Sequence, residues 1–177
     1  PLHAFCYRPD TKLYRLQSPQ RPIAVTESYD EYSIDEYPLG TNAVIAVLAY
    51  TGYDMEDAMI VSKGSMERGF SHATLYKTET LSLVTGSGKV FGHFDLRSHS
   101  LEGTLNIDGS PSVGSIIEPG SALASVVDRI TGQTHVHKAK GTDQAIVDRV
   151  SVIQTSLSRG IRSTKMALSL RYNRNPI

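Results

Sequence analysis

The sequence of 177 residues has one cysteine, Cys6, and no tryptophan. A single cysteine excludes an internal disulfide and any zinc site built from a cluster of cysteines. No apolar run approaches the roughly 18 residues that a membrane-spanning helix needs. No signal peptide is visible either. We therefore expect an intracellular, soluble chain with no membrane partner.

Net charge is also lacking, because the formal charge at pH 7 is zero. Bulk attraction to nucleic acid is therefore not expected. The charge is nevertheless uneven along the chain. Residues 24–40 carry five acids and no Lys or Arg, whereas residues 144–177 carry six basic residues and one aspartate. Contacts with a polyanion are expected only from such local stretches.

The residues that are present predict a mainly β fold with a few short helices, large enough for one or two domains. Short apolar or alternating runs bounded by turn residues indicate strands, at 13–16, 74–83, 115–117, 122–127, 135–138, 145–153 and 161–172. Residues 85–100, rich in Gly, Ser and His, predict a loop. Asp108-Gly109 predicts a hairpin turn.

Residues 41–70 are the most informative stretch. Apolar runs at 43–50 and 58–61 flank the acidic sequence Asp54-Met55-Glu56-Asp57, and they predict two buried strands that hold a rigid loop. Residues 65–69 predict one helical turn that ends at a glycine. The acids have two interpretations. They form a solvated turn, or they bind a hard cation such as Mg²⁺, which takes one or two protein carboxylates and leaves its other positions to water and phosphates.

These motifs resemble the second-largest, β-type subunits of multisubunit DNA-directed RNA polymerases. Residues 52–61, Gly-Tyr-Asp-Met-Glu-Asp-Ala-Met-Ile-Val, are similar to the GY-(N/D)-x-ED signature of that family. Further matches follow in the family's order: Leu13-Tyr14, Pro19-Gln20-x-Pro22, 40–44, Glu67-Arg68-Gly69 and the wall-like segment 105–114. The residues around the signature are closest to the RNA polymerase I form, and the RNA polymerase III and archaeal forms remain alternatives.

The resemblance implies a fold and a domain organisation. Residues 1–72 and 144–177 would form two parts of a double-psi β-barrel-type hybrid-binding domain, and residues 73–143 would be an inserted β wall, or flap. The chain begins at Pro1 and stops before the lysine-rich block of the family. We therefore expect an internal segment of a longer subunit.

The resemblance also implies a function, that of a segment of the catalytic core in templated RNA synthesis, inactive by itself. In the family one Mg²⁺ is held by the largest subunit and a second arrives with the nucleoside triphosphate. Asp57 first, and Glu56 second, are implied to face that second ion. The implied partners are the largest and other polymerase subunits, the DNA template, the RNA–DNA hybrid and the NTP. The implied location is the nucleus and the nucleolus.

Four basic residues are candidates for contacts with nucleic-acid phosphates: Arg21, Arg162, Lys165 and Arg171. For the last three, the alternative is a solvated strand edge whose charges prevent aggregation. His135 and His137 share one strand face but lack a third ligand, so we expect exposed strand residues and no zinc site.

Two other functions remain open. One is a non-catalytic β module for nucleic-acid binding or assembly, in which the acids only form a turn. The other is a self-sufficient Mg²⁺ phosphotransferase. That function ranks last, because the sequence has no Walker-type phosphate loop and no obvious catalytic base.

Overall fold

The computed structural model describes residues 10–49, 52–53, 55–84, 86–93, 105–156 and 162–176, with only the backbone at 155, 156 and 162. The strands are β1 (Lys12–Leu16), β2 (Ala73–Val84), β3 (Lys89–Phe91), β4 (Ile116–Ile117), β5 (Ala122–Asp128), β6 (Thr134–Lys138), β7 (Ala145–Ser156) and β8 (Arg162–Arg174). Two short helices, α1 (Glu27–Glu31) and α2 (Lys63–Glu67), and a 3-10 turn (Ile34–Glu36) complete the elements. The prediction of a mainly β fold with a few short helices is confirmed.

The strands form two sheets. One is five-stranded, in the order β1-β2-β8-β7-β4, and the other is three-stranded, in the order β3-β5-β6. The hairpin β7–β8 is a long antiparallel pair, and its register runs from Ile146 opposite Arg171 to Ser156 opposite Arg162. A bulge between Val147 and Arg149 shifts this register. Because the bulge inserts one residue into β7, Val147 and Arg149 lie on opposite faces of the sheet although they are only two positions apart.

The hydrophobic core takes residues from both sheets. Its buried members come from β4, β5, β7 and β8: Ile117, Leu123, Ala124, Ala145, Val147, Met166, Leu168 and Leu170. The burial of alternate residues along β8 follows the strand period of two. One face of the β7–β8 hairpin is therefore fixed against the core, and the other carries its remaining side chains.

The chain divides into two compact units. One consists mainly of Tyr14–Leu75 and the other mainly of Tyr76–Tyr172, which includes the whole core just described. The predicted division into 1–72, 73–143 and 144–177 concerns the complete subunit and stays a prediction. Within the described ranges, no helix is long and apolar enough to cross a membrane.

Most predicted strands are confirmed, but the predicted loop at 85–100 is wrong at Lys89–Phe91, which pairs with β5 as β3. Residues 85 and 94–100 of that prediction lie outside the described residues. The two buried strands predicted at 43–50 and 58–61 are also wrong. The described residues of both runs have no regular secondary structure and are exposed, Val47 to 97%. A hydrophobic run becomes a strand only where a neighbouring backbone accepts its hydrogen bonds, and no described strand lies beside either run.

Candidate functional site

The acidic segment is an exposed turn. Glu56 and Asp57 are both exposed, as are Tyr53 and Met55 before them. Glu56 has φ = 57°, in the left-handed region that a residue with a Cβ rarely adopts. Strain of this kind is often found at functional sites. No ion pair within 4 Å joins Glu56 or Asp57 to another described residue, and Asp54 lies outside the described residues.

The chain that leads into this segment is tied down by side-chain hydrogen bonds. Gln20 accepts from the backbone amide of Asn42 at 2.9 Å, and Asn42 Nδ2 donates to the carbonyl oxygen of Arg21 at 2.8 Å. The backbone of Gln20 also donates to Gly40 at 2.8 Å. These bonds join the Pro-Gln-Arg-Pro motif to the start of the exposed apolar run.

On the other side, helix α2 follows the acidic segment, as predicted, and begins two residues earlier than expected. The amides of Ser65 and Met66 donate to the carbonyl oxygen of Ser62, and Gly69 has φ = 100°. A glycine at that position ends a helix without the steric cost that other residues incur. The acidic turn is thus bounded by a short helix on one side only.

Arg21, a predicted phosphate contact, is held by neighbours in its own chain. Its guanidinium donates to Asp30 at 2.8 Å and also to Asp35, and it lies 5.4 Å from the centre of the Tyr29 ring. The hydrogen bond to Asp30 raises the pKa of Arg21. Burial, together with Asp35, raises the pKa of the Tyr29 hydroxyl. The acidic residues of 24–40 thus provide the partners of Arg21.

Arg15 and Gln20 are two further polar residues close to Arg21 in the sequence. Arg15 lies over the ring of Tyr37 at 4.6 Å. Gln20 borders a hollow of about 190 Å³, whose polar lining includes Asn42, Arg68 and His72. Arg15 and Arg21 thus each contact a tyrosine ring, whereas Gln20 borders an open space.

The remaining basic candidates lie on β8. Lys165 and Arg171 are half-buried, and they alternate with the buried residues Met166, Leu168 and Leu170. They therefore share the face of the sheet that points away from the core. The side chain of Arg162 is outside the described residues. The role of these residues in binding nucleic acid stays a prediction.

Glu56 and Asp57 offer carboxylate oxygens, which are the type of ligand that a hard cation such as Mg²⁺ prefers. Over the described ranges, no three His, Cys, Asp or Glu side chains are grouped as a metal site. Two carboxylates on one turn leave most of an octahedral shell to other ligands. His135 and His137 are exposed on β6, as expected.

Comparison with known families identifies the class of protein. The family model described as RNA polymerase Rpb2, domain 6, matches residues 1–177. The chain belongs to this family, as the motifs around Glu56-Asp57 predicted.

Three similar relatives are subunits of one type of RNA polymerase, RNA polymerase I. The chain is 43% identical to DNA-directed RNA polymerase I subunit 2 of Arabidopsis thaliana, with 98% of the chain and 15% of that protein covered. It is 40% identical to DNA-directed RNA polymerase I subunit RPA2 of Homo sapiens, with 99% and 16% covered. It is 35% identical to subunit RPA135 of Saccharomyces cerevisiae, with 98% and 15% covered. The chain thus spans about a sixth of the length of these relatives.

Proposed function

We propose that this chain is a segment of the catalytic core of a DNA-directed RNA polymerase, in particular RNA polymerase I, which acts in the nucleus and the nucleolus. The observation that carries the proposal is the exposed Glu56-Asp57 turn within a chain of the Rpb2 domain 6 family. Relatives named as RNA polymerase I subunits favour that polymerase over RNA polymerase III and archaeal enzymes. Its partners would be the other polymerase subunits, DNA, the RNA–DNA hybrid and the NTP.

Asp57, and after it Glu56, would face the second Mg²⁺ and the triphosphate of the incoming nucleotide. Two exposed carboxylates without a described ion pair are available to a cation. Mg²⁺ commonly binds through one or two carboxylates together with substrate phosphates. When bound, the metal would neutralise charge that develops on the transferring phosphoryl group. The two carboxylates of this chain would orient it.

The exposed apolar runs on either side of the turn suit a segment that functions inside a larger assembly. Val44, Val47 and Met59 are each at least 87% exposed, and contiguous exposed apolar side chains mark interaction surfaces. Other parts of the polymerase would cover these runs and hold the acidic turn in place. Lys165 and Arg171, on the outward face of β8, would contact the RNA–DNA hybrid.

The test is a substitution in the complete polymerase. Asp57→Ala should slow nucleotide addition on the order of 100-fold or more, because a positioned metal contributes several kcal/mol to the transition state. Subunit assembly should be unchanged, since Asp57 is exposed. Glu31→Gln, at an exposed acid on α1, is the control and should leave the rate unchanged. Near-normal elongation by Asp57→Ala at limiting Mg²⁺ would return the turn to a purely structural role.

The non-catalytic β module is the alternative function. For Arg21 an assembly role is favoured over nucleic-acid binding, because Asp30 and Asp35 already neutralise this cation within the chain. The module predicts that both Asp57→Ala and Glu31→Gln leave nucleotide addition unchanged.

A further inference from the structure

The outward face of the β7–β8 hairpin carries a cation that the motifs do not single out, Arg149. The register places Arg149 directly opposite Ser169, on the strand that also carries Lys165 and Arg171. Ser169 lies between Leu168 and Leu170 on β8, and both of these are buried in the core. Arg149 therefore lies on the face that points away from the core, with Lys165 and Arg171, and it is exposed.

The spacing of these three cations follows from strand geometry. Arg171 lies two residues beyond Ser169, so Arg149 and Arg171 are diagonal cross-strand neighbours, about 7–8 Å apart at the backbone. Lys165 lies six residues before Arg171, about 20 Å along the strand. We name Arg149, Lys165 and Arg171 the cationic row. A nucleic-acid duplex carries one charge per about 1.7 Å of its axis, so a row of this length spans several phosphates.

Outside the bulge, none of the described outward side chains of β2, β7 and β8 is acidic. Outward positions on β7 and β8 hold Ser151, Ala167 and Ser169, between Ile146 and Ile153. On β2, residues that alternate with the inward Leu81 include Thr78, Thr80 and Ser82. Hydroxyl groups beside Arg and Lys are the usual partners of phosphate oxygens.

The acids near the row do not neutralise it. Asp148 lies within the bulge of β7, and no ion pair within 4 Å joins it to Arg149. Glu79 is paired with Lys77 at 2.9 Å on β2. Over the described residues, no ion pair within 4 Å includes a member of the cationic row.

We propose that the cationic row is one continuous phosphate-binding surface for the RNA–DNA hybrid, and that Arg149 is a nucleic-acid-binding residue within it. The proposal rests on the proposed function for the identity of the polyanion. It adds a second strand to the surface, because the basic candidates that the sequence analysis named on this hairpin all belong to β8. One strand presents a single line of cations to the hybrid, whereas two paired strands present a wider surface.

The experiment uses the complete polymerase that contains this chain, bound to a synthetic template–RNA hybrid. The dissociation constant is measured between about 50 and 200 mM salt for Arg149→Gln, Arg149→Lys, Lys165→Gln and Arg171→Gln. Arg129→Gln is the matched control, because Arg129 is equally exposed but lies at the β5–β6 turn. Each lost phosphate contact should reduce the steepness of log K against log salt concentration by roughly 0.7–0.9. Over this salt range the affinity of the variant should then fall about threefold less than that of the unchanged polymerase.

The expected result is a lower slope for all three Gln variants of the row and an unchanged slope for Arg149→Lys and Arg129→Gln. A lower slope for Lys165→Gln and Arg171→Gln, with no change for Arg149→Gln, would overturn the row and leave the proposed function intact. An unchanged slope for every variant would overturn both the row and the hybrid-binding role. Loss of a polymerase subunit from Arg149→Gln, with normal hybrid binding, would identify an acidic protein partner and overturn the proposal.

Discussion

Gly109 lies against the backbone of Ser125. The amide of Ser125 donates to the Gly109 carbonyl oxygen at 2.9 Å, and Gly109 has φ = 76°. A Cβ at this position would overlap the carbonyl oxygen of Ser125 and would lie 2.6 Å from the amide nitrogen of Gly92. The turn that starts at Asp108 thus packs on β5 because residue 109 has no side chain.

Gly109→Ala should therefore destabilise the chain by about 2–4 kcal/mol, from left-handed strain and overpacking together. Gly120→Ala is the matched control. Gly120 has φ = 79° with open space around its Cβ position, so only the conformational cost of about 1–2 kcal/mol applies. Urea unfolding of the two variants compares them. Equal losses would show that the contact with Ser125 adds nothing.

The carboxylate of Asp128 stabilises the β5–β6 turn, and this contribution depends on pH. Its Oδ1 accepts from the amides of Ile130 at 2.9 Å and Thr131 at 3.3 Å, and these bonds lower the pKa of Asp128 below its ordinary value of 3.8. Because the folded-state pKa is depressed, the stabilisation is present above pH 3.8 and is lost as pH falls through the folded-state pKa. Asp128→Asn should remove this part of the acid sensitivity, and Glu31→Gln should not. An NMR titration that finds an ordinary pKa for Asp128 would contradict this account.

Arg21 should act through its own chain. Because Asp30 and Asp35 both bind its guanidinium, Arg21→Gln should lower the thermal midpoint of the chain. In a double-mutant cycle with Asp30→Asn, the two effects should be less than additive. In the complete polymerase, Arg21→Gln should leave the salt slope of hybrid binding unchanged. A slope lowered to the same extent as for Arg171→Gln would place Arg21 on the nucleic acid.

The exposed apolar residues at 43–49 should make the isolated chain associate. Val44→Lys with Val47→Lys should shift its sedimentation towards the monomer, because the two charges break up the exposed apolar patch. Ile130→Lys removes an equally exposed but isolated apolar side chain and is the control. Association that survives the double variant would show that another surface causes it.

Local patterns predicted the strands of the second unit because those strands hydrogen-bond and pack with one another within this chain. The alternating apolar residues of β7 and β8 form a face that is buried within the same chain, so the period of two predicted these strands correctly. The run that contains Val44 and Val47 has the same apolar character, yet it stays exposed. Its pattern could not reveal that no partner strand lies within the described chain. Hydrophobicity predicts that a segment is to be buried, and it does not predict by which chain.

The candidate site shows the same limit. The Glu56-Asp57 turn was found from its motif, and its exposure agrees with binding a cation. The pairing of Arg21 with Asp30 and Asp35 could not be predicted from the sequence, because these partners lie nine and 14 positions away along the chain. Arg149 was missed because, on this hairpin, only the basic residues of the second strand were considered as phosphate contacts. The alternation of β7, which places Arg149 on one face with Ser151, was the available signal.

The central claim is that Asp57 acts on the metal that accompanies the nucleotide. The most direct test is the rate of single-nucleotide addition by the complete polymerase, measured against Mg²⁺ concentration for Asp57→Asn and Glu56→Gln, with Glu31→Gln as the control. We predict that Asp57→Asn shifts the curve to higher Mg²⁺, that Glu56→Gln shifts it less, and that high Mg²⁺ partly restores both rates. A rate curve for Asp57→Asn that coincides with that of Glu31→Gln at every Mg²⁺ concentration would contradict the claim.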